Sequence, residues 1–295
     1  MKKISVYIVA LLLPVMLVPQ FAHAQTVDRA VLIELIDLLQ QQIKLLQAQL
    51  DAQRASLATN NELLKDFPGR VVALYAVGSE LELPDTAPVE YQQYADRLRL
   101  LLPPQYRDYL DQFMVFSNHA DDIDAFVAVA SDGRDTTWTY GVSAQEISYD
   151  PTSESSIELM VHEFAHMFSL DQLLASEAST ATCSEVYANL ACFASGSYLE
   201  EFVMDFWDEQ LLGELADARE GRNPDRELFQ FYQEYESEFV SDYAATNPSE
   251  DFAESFAWYV LDLPVRQGTI AAEKVDFMDQ FRAIRSYKIH IQSQL

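Results

Sequence analysis

Apolar positions change their period several times along this chain, and each change marks a different kind of segment. From Ile4 to Phe21 the residues are almost continuously apolar. Further on, Leu32, Ile36, Leu39, Ile43, Leu46 and Leu50 follow spacings of 4, 3, 4, 3 and 4. That 3.5-residue repeat predicts an amphipathic helix over residues 27–53. Isoleucine at a and leucine at d suits a parallel two-stranded coiled coil, so this helix allows a homo-oligomer. The repeat lasts only about three heptads with few charged e/g pairs. Leu35, Leu38 and Leu45 also widen its apolar face, which equally fits a helix packed on its own domain. Residues 60–68 mark the boundary between this helix and the main domain.

Past that boundary the pattern alternates between short extended runs and helical stretches. Arg70 to Ala76 reads as a strand, and Pro88 to Leu102 as a helix that stops before Pro103-Pro104. After Tyr106 to Phe116 comes a hairpin, with strands Asp124 to Ala130 and Thr136 to Ala144. Ser131-Asp132-Gly133-Arg134-Asp135 forms its turn. From Ser155 onward the chain is predominantly helical. Ile157, Met160, Val161, Phe164, Phe168 and Leu170 make the first of these helices long and mostly buried. The expected class is α+β, a predominantly helical domain with a small sheet beside that helix. About 230 residues after Pro68 suffice for one sizeable core. The expected division is 1–24, 25–60 and 61–295.

Composition adds a location and removes some partners. Lys2 and Lys3, the apolar Ile8 to Val18 and the small-residue site Ala22-His23-Ala24 predict a bacterial-type secretory leader cleaved before Gln25. Pro14 and Pro19 argue against an uncleaved anchor, and no cysteine follows the site to accept a lipid. The expectation is a secreted or cell-envelope protein with no stable membrane association after cleavage. The formal charge is −28, and about −30 once Lys2 and Lys3 are removed. A field of that sign repels nucleic acid and anionic membranes, and no basic patch offsets it. Cys183 and Cys192 are the two cysteines, and export makes a bridge between them plausible. One continuous helix would hold them about 13 Å apart, so a bridge requires a turn.

The chemistry concentrates at His162-Glu163-Phe164-Ala165-His166, an H-E-x-x-H string in a chain with five histidines. On a helix, residues four apart share a face, so both imidazoles can address one metal ion. Glu163, rotated about 100° from His162, can approach an open coordination position from the side. This suits a hydrolytic Zn2+ site with two nitrogen ligands and a carboxylate base. A helix with two half-buried histidines and a surface glutamate is the plain alternative, but on a mostly buried helix imidazoles and a carboxylate need partners. A catalytic zinc needs a third protein ligand. The metzincin extension fails at Ser169 and Gln172, the inverted H-x-x-E-H motif does not occur, and nothing around His119 or His290 has ligand character. Glutamate from a later helix remains. Asn247 is a good N-cap, Pro248 sits at N1 and Glu250 at N3, where a capping box would also place a glutamate. Glu254 lies one turn further on the same face. Spacing leaves open which of the two ligates and which bonds a zinc-bound histidine.

His162-Glu163-Phe164-Ala165-His166, followed by Tyr243, Asn247, Glu250, Phe252-Ala253-Glu254 and Phe256, resembles the lethal-factor-like zinc metallopeptidases, a gluzincin family. The resemblance covers two blocks totalling about 30 residues, in the family's order. It implies a zincin-like catalytic domain hydrolysing a peptide or protein substrate. Glu250 would be the third zinc ligand and Glu254 the hydrogen-bonding partner of a ligand histidine. Tyr243 would face the reacting carbonyl and Glu163 would act as general base. In that architecture a sheet edge beside the zinc helix pairs with extended substrate, and the strand carrying Trp138 and Tyr140 is the natural candidate. Toxin domains and toxin substrates do not carry over, because this chain is far shorter. A rival expectation is a secreted, coiled-coil-assembled interaction protein whose zinc is not catalytic.

Overall fold

A computed structural model of the chain describes residues 69–78, 80–117, 123–131, 137–170, 183–184, 193–194 and 196–295, together with Lys44. Contacts divide the chain into units Met1–Leu57 and Ala58–Leu295. The expected leader, the coiled-coil repeat, the hairpin turn and Cys192 lie outside the described residues.

Six strands and nine α-helices are described. They are β1 Arg70–Ala76, α1 Val89–Leu101, α2 Pro104–Arg107, β2 Leu110–Ser117, β3 Ala125–Ser131, β4 Thr137–Ser143, α3 Glu154–Leu170, β5 Cys183–Ser184, β6 Phe193–Ala194, α4 Tyr198–Phe206, α5 Glu209–Glu220, α6 Pro224–Glu234, α7 Pro248–Leu261, α8 Ile270–Phe277 and α9 Arg282–Gln292. The chain is thus mixed α+β, mostly helical with one small four-stranded sheet. The Pro103-Pro104 stop works as expected, since α1 ends at Leu101 and Leu102 turns extended. Among the described residues no helix is long and apolar enough to cross a membrane.

The sheet order is β1-β2-β4-β3. β3 and β4 form the expected antiparallel hairpin, while β2 runs parallel to β4 and antiparallel to β1. β4 therefore has both edges paired. The edge beside α3 belongs to β3, which packs against that helix. The expectation that the strand of Trp138 and Tyr140 offers a free edge is thereby corrected. Both side chains are buried, and the Tyr140 hydroxyl meets that of Tyr94 on α1 at 3.1 Å. An internal strand has no spare backbone groups for a peptide. Gly141 stands opposite Phe126 in the β3–β4 ladder. A Cβ there would come within 2.3 Å of the Phe126 ring, so the missing side chain lets the ring cross the strand.

Aromatic side chains bind the helices into one core. Phe164 of α3 stacks on Tyr287 of α9 with centroids 4.4 Å apart, and Phe168 stacks on Tyr198 of α4 at 5.2 Å. Phe252 and Phe256 of α7 are fully buried, and Phe256 sits 5.9 Å from Phe168. Each such ring removed from water contributes about 1.5–3 kcal/mol. Their joint effect is to press α3 and α7 together along their length. The site forms on one side of that contact.

Candidate metal centre

α3 carries His162 and His166 on the face turned toward α7. Asn247 starts α7 in extended backbone, its side-chain oxygen accepting from the N–H groups of Ser249 at 2.9 Å and Glu250 at 3.0 Å. Pro248 occupies N1 as expected, with its φ preset for the helix. This cap fixes where the first turn begins and so where Glu250 projects. Its Oε2 lies 3.0 Å from His162 Nε2 and 3.0 Å from His166 Nε2, and the two nitrogens are 3.1 Å apart. The glutamate that could have served as a capping-box residue faces the imidazoles.

The three candidate donor atoms lie within 3.1 Å of one another. Zinc bonds of 2.0–2.2 Å in tetrahedral geometry separate the donors by about 3.3 Å, close to the separations here. The group His162, His166 and Glu250 could hold a metal ion. Two imidazoles and one carboxylate are also the donor set that borderline divalent metals accept.

The remaining ring nitrogens are held as well. His162 Nδ1 lies 2.7 Å from Glu254 Oε1, and the other Glu254 oxygen accepts from Ser241 Oγ at 2.6 Å. The Ser241 hydroxyl in turn accepts from the Ala244 N–H at 3.0 Å. His166 Nδ1 lies 3.2 Å from Ser249 Oγ. An Nδ1–H donated outward leaves each Nε2 lone pair directed at the metal position. Glu254 was expected from the sequence in this relation; Ser241 and Ser249 were not. Their only signal is proximity to Tyr243 and Glu250, and serines near a helix start are ordinarily caps.

Charge is distributed to match. Burial works against a proton on His162, but hydrogen bonds to Glu250 and Glu254 outweigh it and push its pKa up to about 10. Glu250 shows the converse: burial would raise its carboxyl, yet the two histidines hold it well below the ordinary carboxylate range. Glu163 is raised by burial and by the Glu250 charge, against the pull of His162 and His166 and a hydrogen bond from the Val127 N–H of β3. Burial, the carboxylates Glu250, Glu163 and Glu254, and a hydrogen bond to Glu250 also raise the Tyr243 hydroxyl.

A cavity of about 460 Å3 adjoins the centre, lined by His162, Glu163, Tyr243 and Glu254, by Ser155, Glu158 and Leu159 of α3, and by Ile123, Asp124, Ala125 and Glu146. Tyr243 precedes a 3-10 turn, Ala244–Thr246, and its ring centroid is 5.7 Å from that of His162. The tyrosine is 52% exposed, so its ring is a wall of the cleft and not part of the core. His290 lies on α9, with Nε2 2.9 Å from the Leu100 carbonyl. Cys183 is in β5, which pairs antiparallel with β6. Cys192, and with it the expected bridge, lies outside the described residues.

Comparison with protein-family models, with curated proteins and with solved structures finds no match for the chain.

Proposed function

We propose that the chain is a zinc-dependent peptidase, exported and hydrolysing peptide bonds in the cleft between β3 and α3. The observation that carries this reading is the convergence of His162 Nε2, His166 Nε2 and Glu250 Oε2 at 3.0–3.1 Å, with Glu163 left over on the same helix. Glu163 is buried, lines the cavity and takes no part in the donor triad. The motif resemblance to lethal-factor-like zinc metallopeptidases supports the same assignment, including zinc as the metal and a zincin-like domain.

His162, His166 and Glu250 would hold the zinc, which would supply carbonyl polarisation and a bound water acidified to a pKa near 7. The protein's own groups do the rest. Glu163 accepts the proton of the attacking water and delivers it to the departing amine. Its raised pKa makes it a stronger base than an ordinary carboxylate. The Tyr243 hydroxyl stays protonated through the working pH range and donates to the developing oxyanion. Glu254 and Ser249 hold the two imidazoles in the tautomer that ligates. β3, the outer strand of the sheet, is the edge an extended substrate would meet, the role first expected of β4, and its Val127 N–H already donates to Glu163. Among the described residues no lysine or arginine lines the cleft, so its field repels acidic peptides.

Zinc stoichiometry and cleavage of a broad peptide library, with Glu163→Ala beside the wild type, test this. The expected outcome is one zinc per chain in both and cleavage by the wild type alone. Bound zinc without wild-type cleavage favours an interaction protein assembled through residues 27–53. Cleavage that survives Glu163→Ala removes the mechanism.

A further inference from the structure

The first turn of α7 points two carboxylates in different directions. Glu250 faces the histidines, while Asp251, about 100° further around the helix, enters the core and is fully buried. Its Oδ2 accepts from Trp207 Nε1 at 2.9 Å and pairs with Lys274 Nζ at 2.7 Å. Trp207 caps α4, and Lys274 sits on α8 with no exposed surface. The ammonium also lies 4.2 Å from the Phe239 ring centroid and 5.5 Å from that of Trp207. A carboxylate on one side and aromatic faces on the other enclose the charge completely.

Such a pair adds little net stability, because desolvating two charges roughly offsets their attraction. What it supplies is direction. An apolar side chain at 251 would be equally buried over a range of helix rotations, whereas two polar contacts at one oxygen define a single one. The need for that precision is quantitative. A ligand atom about 6 Å from the axis of α7 moves by about 0.2 Å when the helix turns by about 2°, which is the tolerance of a metal–ligand bond. Glu250 and Glu254 both ride on α7, so one rotation sets the third ligand and the His162 partner together.

We propose that Asp251 and Lys274, with Trp207, form an internal clamp that fixes the rotation of α7 and so presents Glu250 and Glu254 to the histidines. They are positioning residues, and the inference rests on the metal-site reading above.

The test compares zinc affinity, read by competition with a chromophoric chelator, and the Co2+ absorption spectrum in the full chain. The wild type, the double variant Asp251→Asn with Lys274→Met, and Trp207→Phe are measured, with melting of each apo-protein alongside. The clamp predicts a double variant that melts within about 5 °C of the wild type yet binds zinc about 10–100-fold more weakly, with altered Co2+ bands. Trp207→Phe should weaken zinc binding severalfold and keeps the test open should the double variant not fold. A purely structural pair would lower melting and leave affinity and spectrum of the folded protein unchanged; that result in the folded variants overturns the clamp. A wild type that binds no zinc overturns the metal reading itself, and the clamp with it.

Discussion

Replacing Glu254 by alanine isolates the part of the site that the metal never touches. The carboxylate is 8% exposed, accepts from His162 Nδ1 at 2.7 Å and holds the Ser241 hydroxyl at 2.6 Å. Alanine leaves a buried ring N–H without its acceptor and frees the imidazole to change tautomer. A hydrogen bond to a charged group is worth about 1.5–3 kcal/mol. Converted at about 1.4 kcal/mol per tenfold, this is roughly a 10–100-fold loss of zinc affinity, the range typical of partners behind a metal ligand. Glu254→Gln keeps an acceptor oxygen and should fall between alanine and wild type. Zinc titration against a chelator, at a pH where all three proteins are folded, reads the effect. A folded Glu254→Ala protein with wild-type affinity would refute the claim that this carboxylate orients His162.

Tyr243→Phe should lower kcat by about 100-fold with a clearly smaller loss of zinc affinity, because its hydroxyl bonds the ligand Glu250 but does not itself ligate; a proportionate loss of both would assign it a structural role. In the metal-free protein, burial disfavours the charged His162, but Glu250 and Glu254 raise its pKa to about 10, above the ordinary value near 6.5. That stabilisation is complete below about pH 6.5 and is lost as pH rises through the folded-state value, so apo-protein melting should fall between pH 7 and pH 10. Zinc displaces the proton, so the loaded protein should lack this decline and zinc uptake near pH 7 should release a proton to buffer; an apo-protein whose melting rises over that range contradicts the assignment. Phe256→Ala empties a fully buried ring position between α3 and α7 and should cost about 3–5 kcal/mol of unfolding free energy in denaturant titration, well above the effect of any surface substitution.

Local pattern made much of this fold legible. The strand at Arg70–Ala76, the stop at Pro103-Pro104, the hairpin flanking residues 131–136 and the cap at Asn247-Pro248 all follow from periodicity and turn chemistry. The two histidines were legible because H-E-x-x-H spacing is itself a helix period; the Asn-Pro start located the helix carrying Glu250 and Glu254, but spacing left open which of them ligates, and only the family resemblance pointed to Glu250. The strand order was not. β2 joins β4 in parallel although β3 lies between them in sequence, a long-range pairing that no local pattern encodes, and it left β3, not β4, as the outer strand beside α3. Lys274 was equally hidden. In sequence it is one lysine in a short helix, and its burial depends on Asp251, Trp207 and Phe239 arriving from three other segments. Ser241 and Ser249 were missed for the same reason, since their partners lie 13 and 83 residues away.

Peptide-library hydrolysis in 18O-labelled water, by wild type and Glu163→Gln matched for zinc content, decides whether Glu163 is the base of a zinc hydrolase. The wild type should cleave and place one labelled oxygen in each new carboxyl group. The variant, which keeps all three metal ligands, should lose about 10²–10⁴-fold in rate. Equal rates for the two zinc-loaded proteins, or no cleavage by either, would contradict that role.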